Sequence, residues 1–276
     1  MSLELLKSDK SPRVSVVVPC FNEAPDLIRE SLGSLRAQSF TDFECLVIDE
    51  STQPERAEAC REECARDTRF TYVHPSVRLG LAASLNLGVE LSRGEYVARF
   101  DSDDICLPER LTLQVGFLDE HPEIDVLGGA MDIINEAGQT IATRLYPCEP
   151  TAVERRMQVT NAIAHPTVMA RRQVFERHGH YDSSFRFSED LELWLRWLNA
   201  GVTFANLPQV LIRYRQNSTN RSGAHWQYNL RARRRHLSAN LLPYRLIGMI
   251  VILVWIAVPA GLKDQLFRKI VFYRNM

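Results

Sequence analysis

GEYVARFDSDDICLPERLTLQ, residues 94–114, contains a strand, an acidic turn and a helix in immediate succession. Residues 96–100 alternate and include aromatic and β-branched side chains, as a buried strand does. Pro108 opens a run whose apolar residues Leu111, Val115 and Leu118 fall on one helical face. Between the two elements stand Asp101, Asp103 and Asp104, close enough that their repulsion costs stability unless a cation or a row of backbone N–H groups balances it. Hard carboxylate oxygens at the C-terminal edge of a strand suit Mg²⁺ or Mn²⁺ carrying a diphosphate. Asp101 or Ser102 could instead cap the following helix. A cap accounts for one acidic residue and leaves two unexplained.

Upstream, short apolar runs alternate with helical patterns. Strands are expected at 13–18, 43–48 and 70–74, and helices at 26–38, 55–67 and 81–92, the middle one a charged surface helix. This alternation implies an α/β fold with a mostly parallel sheet flanked by helices. Ligands of such sheets collect beyond the C-terminal strand ends, where strand order reverses. Those ends supply residues 19–23, then Asp49 with Glu50, then the acidic turn. No glycine-rich phosphate loop follows the first strand, so neither a dinucleotide fold nor a nucleoside triphosphatase is supported.

Downstream the alternation breaks down. Strands are expected at 125–129 and 167–170, a hairpin at 131–143 turning at 135–138, a short helix at 151–158, and two further strands at 203–207 and 210–214. A second acidic site lies in FRFSEDLELWLRWLN, residues 185–199, with Ser188 at a helix N-terminus and Glu189 and Asp190 in the first turn. Those two acids could do no more than complement the helix dipole.

The chain of 276 residues has 33 basic and 34 acidic side chains, a balance that gives no global field for nucleic acid. Six scattered cysteines and the lack of a secretory pattern at the N-terminus favour a reducing cytosol. Cys60 and Cys64 share a helix face but have no second pair or nearby histidine to complete a zinc site. The organisation expected is a loose tail at 1–11, one domain at 12–220, and a basic and apolar segment at 221–276. In the last, Arg231, Arg233, Arg234 and Arg235 precede an uncharged stretch at 246–262. That stretch is at the lower limit of spanning length and reads as membrane-embedded, re-entrant or a core helix. Residues 262–274 read as an amphipathic segment at the interface, and the arginines favour anionic lipid.

Five segments, VSVVVPCFNE, DFECLVIDEST, GLAASLNLGVELSRGEYVARFDSDD, AHPTVMARR and SEDLELWLR, occur in the order seen in family 2 glycosyltransferases of the nucleotide-sugar-binding GT-A fold. The resemblance spans residues 12–215. It implies inverting, Mn²⁺- or Mg²⁺-dependent transfer of a sugar from a nucleoside diphosphate donor, a UDP-sugar foremost, to a hydroxyl of a saccharide or lipid-linked acceptor at the cytoplasmic membrane face. Surface polysaccharide or glycolipid synthesis is the implied setting. Pro19, Asn22, Glu23, Asp49, Glu50, Arg78 and Asp101 are implied in donor binding, Asp101 and Asp103 in metal binding, and Asp190 as catalytic base. His165, Glu189 and Arg215 are implied near the acceptor or the phosphates. Glu50 replaces the usual aspartate near the base, and Asn217 stands where the family often has histidine. A polyprenyl-phosphate sugar transferase and a non-catalytic nucleotide-sugar-binding subunit are the alternatives. A nucleotidyltransferase would need a basic, glycine-rich loop that residues 20–25 lack.

Overall fold

The computed structural model describes residues 11–216 and 223–258. The expected tail (but for Ser11), Asn217 and the amphipathic segment after the apolar helix lie outside them. In the first half, β1 (Val14–Cys20), β2 (Phe43–Asp49), β3 (Phe70–Val73) and β4 (Tyr96–Arg99) alternate with α1 (Pro25–Arg36), α2 (Pro54–Cys64) and α3 (Leu81–Leu91). All four strands are parallel, in the order β3-β2-β1-β4. The chain steps outward from β1 to β3 and then returns to the other side of β1. The crevice between the C-terminal ends of β1 and β4 is therefore the switch point of the sheet.

The second half contains β5 (Ile105–Cys106), α4 (Arg110–Glu120), β6 (Val126–Ile134), β7 (Thr140–Arg144), α5 (Pro150–Val159), a 3₁₀ turn (His165–Thr167), β8 (Met169–Arg171), α6 (Arg172–His178), α7 (Glu189–Asn199), β9 (Phe204–Arg215), α8 (Gly223–Arg235) and α9 (Leu242–Ala257). The full order is β3-β2-β1-β4-β8-β6-β9-β5, with β7 paired to β6. The sheet is mixed, which corrects the mostly parallel expectation. β4–β8, β6–β8, β6–β7 and β5–β9 are antiparallel. A parallel neighbour needs a long crossover connection. A hairpin joins β6 to β7, whereas β8 follows α5 and the 3₁₀ turn and runs antiparallel to both its neighbours.

Two expected strands, 203–207 and 210–214, are one. Leu207 pairs with Gly129 and Val210 with Ala130, so Pro208 and Gln209 are extruded as a bulge. Proline has no N–H for the ladder, and the bulge lets β9 continue past it.

The sheet is buried between two helical layers. Ile28, Leu32 and Leu35 of α1, Cys60 and Cys64 of α2, and Leu111, Val115 and Leu118 of α4 cover one face. Leu85 and Val89 of α3, Val153 and Met157 of α5, and Trp194 and Trp197 of α7 cover the other. Although α2 is a charged surface helix, its Glu63 is buried against Arg36 at 3.0 Å. The C-terminal helices lie on this second layer, with α8 against α7 and α9 against α5 and α8. Ala232 joins its core, and Arg233 is buried with Nη1 donating to the Met157 carbonyl at 3.2 Å and to that of Gln158.

Candidate active site

A cleft of about 370 Å³ opens at the switch point. It is lined by Pro19, Cys20, Phe21 and Glu23 after β1, Glu50 after β2, Arg78, Gly80 and Leu81 before and at the start of α3, residues 101–103 after β4, and Tyr214 and Arg215 at the end of β9. The expected donor residues Pro19, Glu23, Glu50, Arg78 and Asp101, with Asp103 and Arg215, thus meet in one cavity.

Their contacts divide them by role. Arg99, fully buried at the end of β4, directs both guanidinium Nη atoms at the two carboxylate oxygens of Asp101. Asp101 is thereby committed to an internal cation, which favours Asp103 over Asp101 as a direct metal ligand. Asp104 does not cap α4, which begins at Arg110. It is completely buried, and its Oδ1 accepts from the Arg215 amide at 2.8 Å. Burial, followed by the charges of Asp101 and Asp103, holds its carboxyl well above the usual range.

Arg215 is consumed by structure. Its Nε donates to the Asp103 carbonyl at 3.1 Å, one Nη to the Glu136 carbonyl at 3.2 Å, and the other pairs with Glu30 at 2.7 Å. It fixes the acidic turn rather than presenting a free guanidinium to phosphates. Arg78 is exposed, with its guanidinium 3.9 Å from the Phe21 ring centroid.

Asn22 and Asp49 hold the neighbouring loop. Asn22 adopts φ 54°, a left-handed conformation that asparagine tolerates, and its Oδ1 accepts from the amides of Thr52 and Gln53 at 2.9 and 3.1 Å. Asp49 is fully buried, accepting from the Ser51 amide and the Tyr72 hydroxyl, both at 2.9 Å. Glu50 reaches across to the start of α3. Its Oε2 accepts from the amides of Leu79 (2.5 Å) and Gly80 (2.8 Å), and its Oε1 from the Ser84 hydroxyl. Gly80 sits at φ 83°, where a side chain would be strained.

The residues of the cleft fit a divalent cation. Burial and the charges of Asp103 and Asp101 push the Glu23 carboxyl up to about 7, against the opposing charge of Arg56, so the cleft favours a bound cation. Asp103 and Glu23 would hold the ion with hard oxygen donors. A different cluster, Cys20, Asp49 and Cys60, has ligand atoms within 4.8 Å of one another in the core behind the cleft. There Cys60 is fully buried and packs against Cys20 and Cys64.

The second acidic site lies at the start of α7. Ser188 precedes the helix at φ 58° and caps nothing; its hydroxyl points to the His225 carbonyl at 3.5 Å. Asp190 is oriented by Asn161, whose Nδ2 donates to Oδ2 at 2.8 Å, and by the Leu191 amide, which donates to Oδ1 at 2.7 Å. Burial and the adjacent Asp190 charge push the Glu189 carboxyl up to about 8. Both Arg99 and Asp101 also act on that carboxyl, which connects this site electrically to the donor cleft.

His165 is buried beneath these groups, its Nε2 2.8 Å from the Tyr181 hydroxyl and its ring edge-on to Trp194. Burial and the Arg99 charge hold its pKa well below the ordinary value, so it stays neutral. It packs beneath the site, against Tyr181 and Trp194. Sequence reasoning missed Arg99, Tyr181, Asn161 and Glu30. A basic residue within the otherwise uncharged run YVARF was the one available signal, for Arg99.

An α/β switch-point cleft of this composition has counterparts among known proteins. The family model described as "Glycosyl transferase family 2" matches residues 15–179. The amylovoran biosynthesis glycosyltransferase AmsE of Erwinia amylovora is 32% identical over 205 residues, covering 74% of this chain and 76% of AmsE. S. aureus TarS 1–349 in complex with UDP-GlcNAc superposes with a TM-score of 0.68 at 21% identity, over 85% of this chain and 71% of that one. The mannosyltransferase PcManGT of Pyrobaculum calidifontis, in complex with GDP-Man and Mn²⁺, gives 0.64 at 17% identity, over 92% and 72%. The two structures share the GT-A-like fold. More than half the chain matches one family's pattern, in the region that supplies every strand end of the cleft except that of β9, and the chain is therefore a glycosyltransferase belonging to family 2.

Proposed function

We propose that the chain transfers a sugar from a nucleoside diphosphate-sugar to a hydroxyl of a saccharide or lipid-linked saccharide, with inversion and with a divalent metal, in building a surface polysaccharide. The observation that carries this reading is the division of carboxylates around Arg99. Asp103 and Glu23 line the donor cleft, whereas Asp190 stands on a different element, held by Asn161. Inverting transfer needs this separation, with one carboxylate removing a proton from the acceptor and another group balancing charge on the departing diphosphate.

Asp190 would take the acceptor hydroxyl proton onto a carboxylate oxygen whose direction Asn161 and the Leu191 amide set. With Glu189 holding its proton near neutral pH, the pair avoids like-charge repulsion. Mn²⁺ or Mg²⁺ at Asp103 and Glu23 would supply Lewis-acid stabilisation of the diphosphate. The names of similar proteins support the setting: AmsE for polysaccharide synthesis, TarS for a UDP-sugar, PcManGT for GDP-mannose with Mn²⁺.

The test is Asp190→Asn assayed in two ways. Transfer to a saccharide acceptor should fall by about 10²–10⁴-fold, the usual contribution of a general base. The thermal shift produced by UDP-GlcNAc or GDP-mannose with Mn²⁺ should persist. Loss of that shift in a folded variant would remove Asp190 from the acceptor side.

A further inference from the structure

The outward face of α9 has no partner among the described residues. Arg245, Gly248 and Ile252 are its buried residues. They fasten the helix to the domain. The Arg245 Nε donates to the Asn240 carbonyl and its Nη2 to Asn199 Oδ1, each at 2.7 Å, and a Cβ on Gly248 would lie 2.0 Å from the Gln158 carbonyl oxygen. The opposite side exposes Leu246, Ile247, Ile250, Val251, Leu253 and Val254, with Ile250 and Val254 at 59% and 60%. A contiguous apolar face of this kind on a folded protein marks an interaction surface.

Its curvature selects the occupant. At 100° per residue these exposed apolar positions run from Leu253 round to Val251, an arc of about 160°. A single partner helix, including α9 of a second copy, packs along one stripe of such a face, of about 100° or somewhat more. A fluid apolar phase covers the whole arc. Charge points the same way. Residues 259–276 follow directly with Lys263, Arg268, Lys269 and Arg274 against a single acid, Asp264, and Arg234 of α8 is exposed. Anionic headgroups would neutralise a net positive charge of this kind, whereas a second copy would add to it. Of the other arginines on α8, Arg231 stacks over the Phe185 ring at 4.6 Å, Arg233 is buried against α5, and Arg235 pairs with Asp182 at 2.6 Å. The cluster read as lipid-binding from sequence thus serves mainly to hold α8 in place.

We propose that α9 is an in-plane membrane-docking helix. It lies parallel to the bilayer with its buried edge on the catalytic domain and its apolar arc among the acyl chains of an anionic leaflet. A spanning arrangement does not suit it: sixteen residues extend about 24 Å, short of a hydrocarbon core of about 30 Å, and its inner edge is bonded to the domain. Among the described residues no helix is long and apolar enough to cross a membrane. This inference is independent of the transfer reaction proposed above.

The experiment is flotation of the full chain with vesicles of phosphatidylcholine and phosphatidylglycerol, alongside Ile250→Asp/Val254→Asp. Both positions are exposed, so the variant should match the parent in urea midpoint and in UDP-GlcNAc thermal shift. Vesicle binding by the parent, lost by about tenfold or more in the variant and released by alkaline carbonate, is the expected result. Equal binding by parent and variant would overturn the proposal by placing the contact elsewhere in the chain. So would carbonate-resistant binding, or a parent that ignores vesicles and dimerises through a contact the variant abolishes.

Discussion

Replacing Glu50 separates two accounts of the donor cleft. The family resemblance places residue 50 near the nucleotide base, yet its carboxylate accepts from the amides of Leu79 and Gly80 and from the Ser84 hydroxyl. Glu50→Ala leaves two half-buried amides at the start of α3 without their acceptor, at about 1–3 kcal/mol each. It also removes a negative charge from a helix N-terminus, worth about 0.3–1 kcal/mol. The total is about 2–7 kcal/mol, a large share of the 5–15 kcal/mol that typically separates folded from unfolded chains. Glu50→Gln keeps an oxygen for the two amides, and Ser84 can turn its hydroxyl to accept from the new amide group. That variant should lose only about 1–2 kcal/mol. Urea unfolding followed by circular dichroism reads both values. The reasoning is refuted if Glu50→Ala unfolds within 0.5 kcal/mol of the parent while its KM for the donor rises, because Glu50 would then be a ligand contact and not the anchor of the 75–80 loop.

Glu189 should give a pH signature. Its folded pKa of about 8 lies above the ordinary carboxyl value, so the folded state binds the extra proton. The contribution is complete below the ordinary value and is lost as pH rises through about 8. Glu23 titrates within the same window, so Glu189→Gln is compared with the parent. Urea midpoints at pH 5, 7 and 9 should decline less in the variant, and parallel declines would contradict the assignment. Gly248→Ala should lower stability by about 1–3 kcal/mol, because the added methyl meets the Gln158 carbonyl. An unchanged unfolding midpoint would show that α9 does not sit against α5 in solution.

Local pattern made the first half of the fold legible. Residues 14–99 alternate strand and helix with clear periodicity, and parallel pairing follows from crossover connections. The pairing of β8 between β4 and β6 is set by contacts far apart in sequence, and nothing in Met169–Arg171 announces it. The site divides in the same way. Asp101 and Asp103 are visible as a cluster, and five of the seven expected donor residues line the cleft. That Glu50 anchors α3, that Arg215 clamps the acidic turn and that Arg99 occupies both oxygens of Asp101 depend on side-chain reach across the sheet, which spacing along the chain does not encode.

The clamp by Arg215 bears on how the protein is made. The acids of the donor cleft are complete by residue 103, yet the turn that carries them is bonded to the end of β9, and among the described residues β5 pairs with β9 alone. A ribosome therefore releases the acidic turn more than a hundred residues before its fastening emerges. Until then Asp104 has no amide to accept from, and the edge of β5 is bare. A fragment ending at residue 179 would contain every matched motif up to the histidine and still lack the strand that closes the site, so nucleotide-sugar binding by such a fragment is not to be expected from its sequence alone.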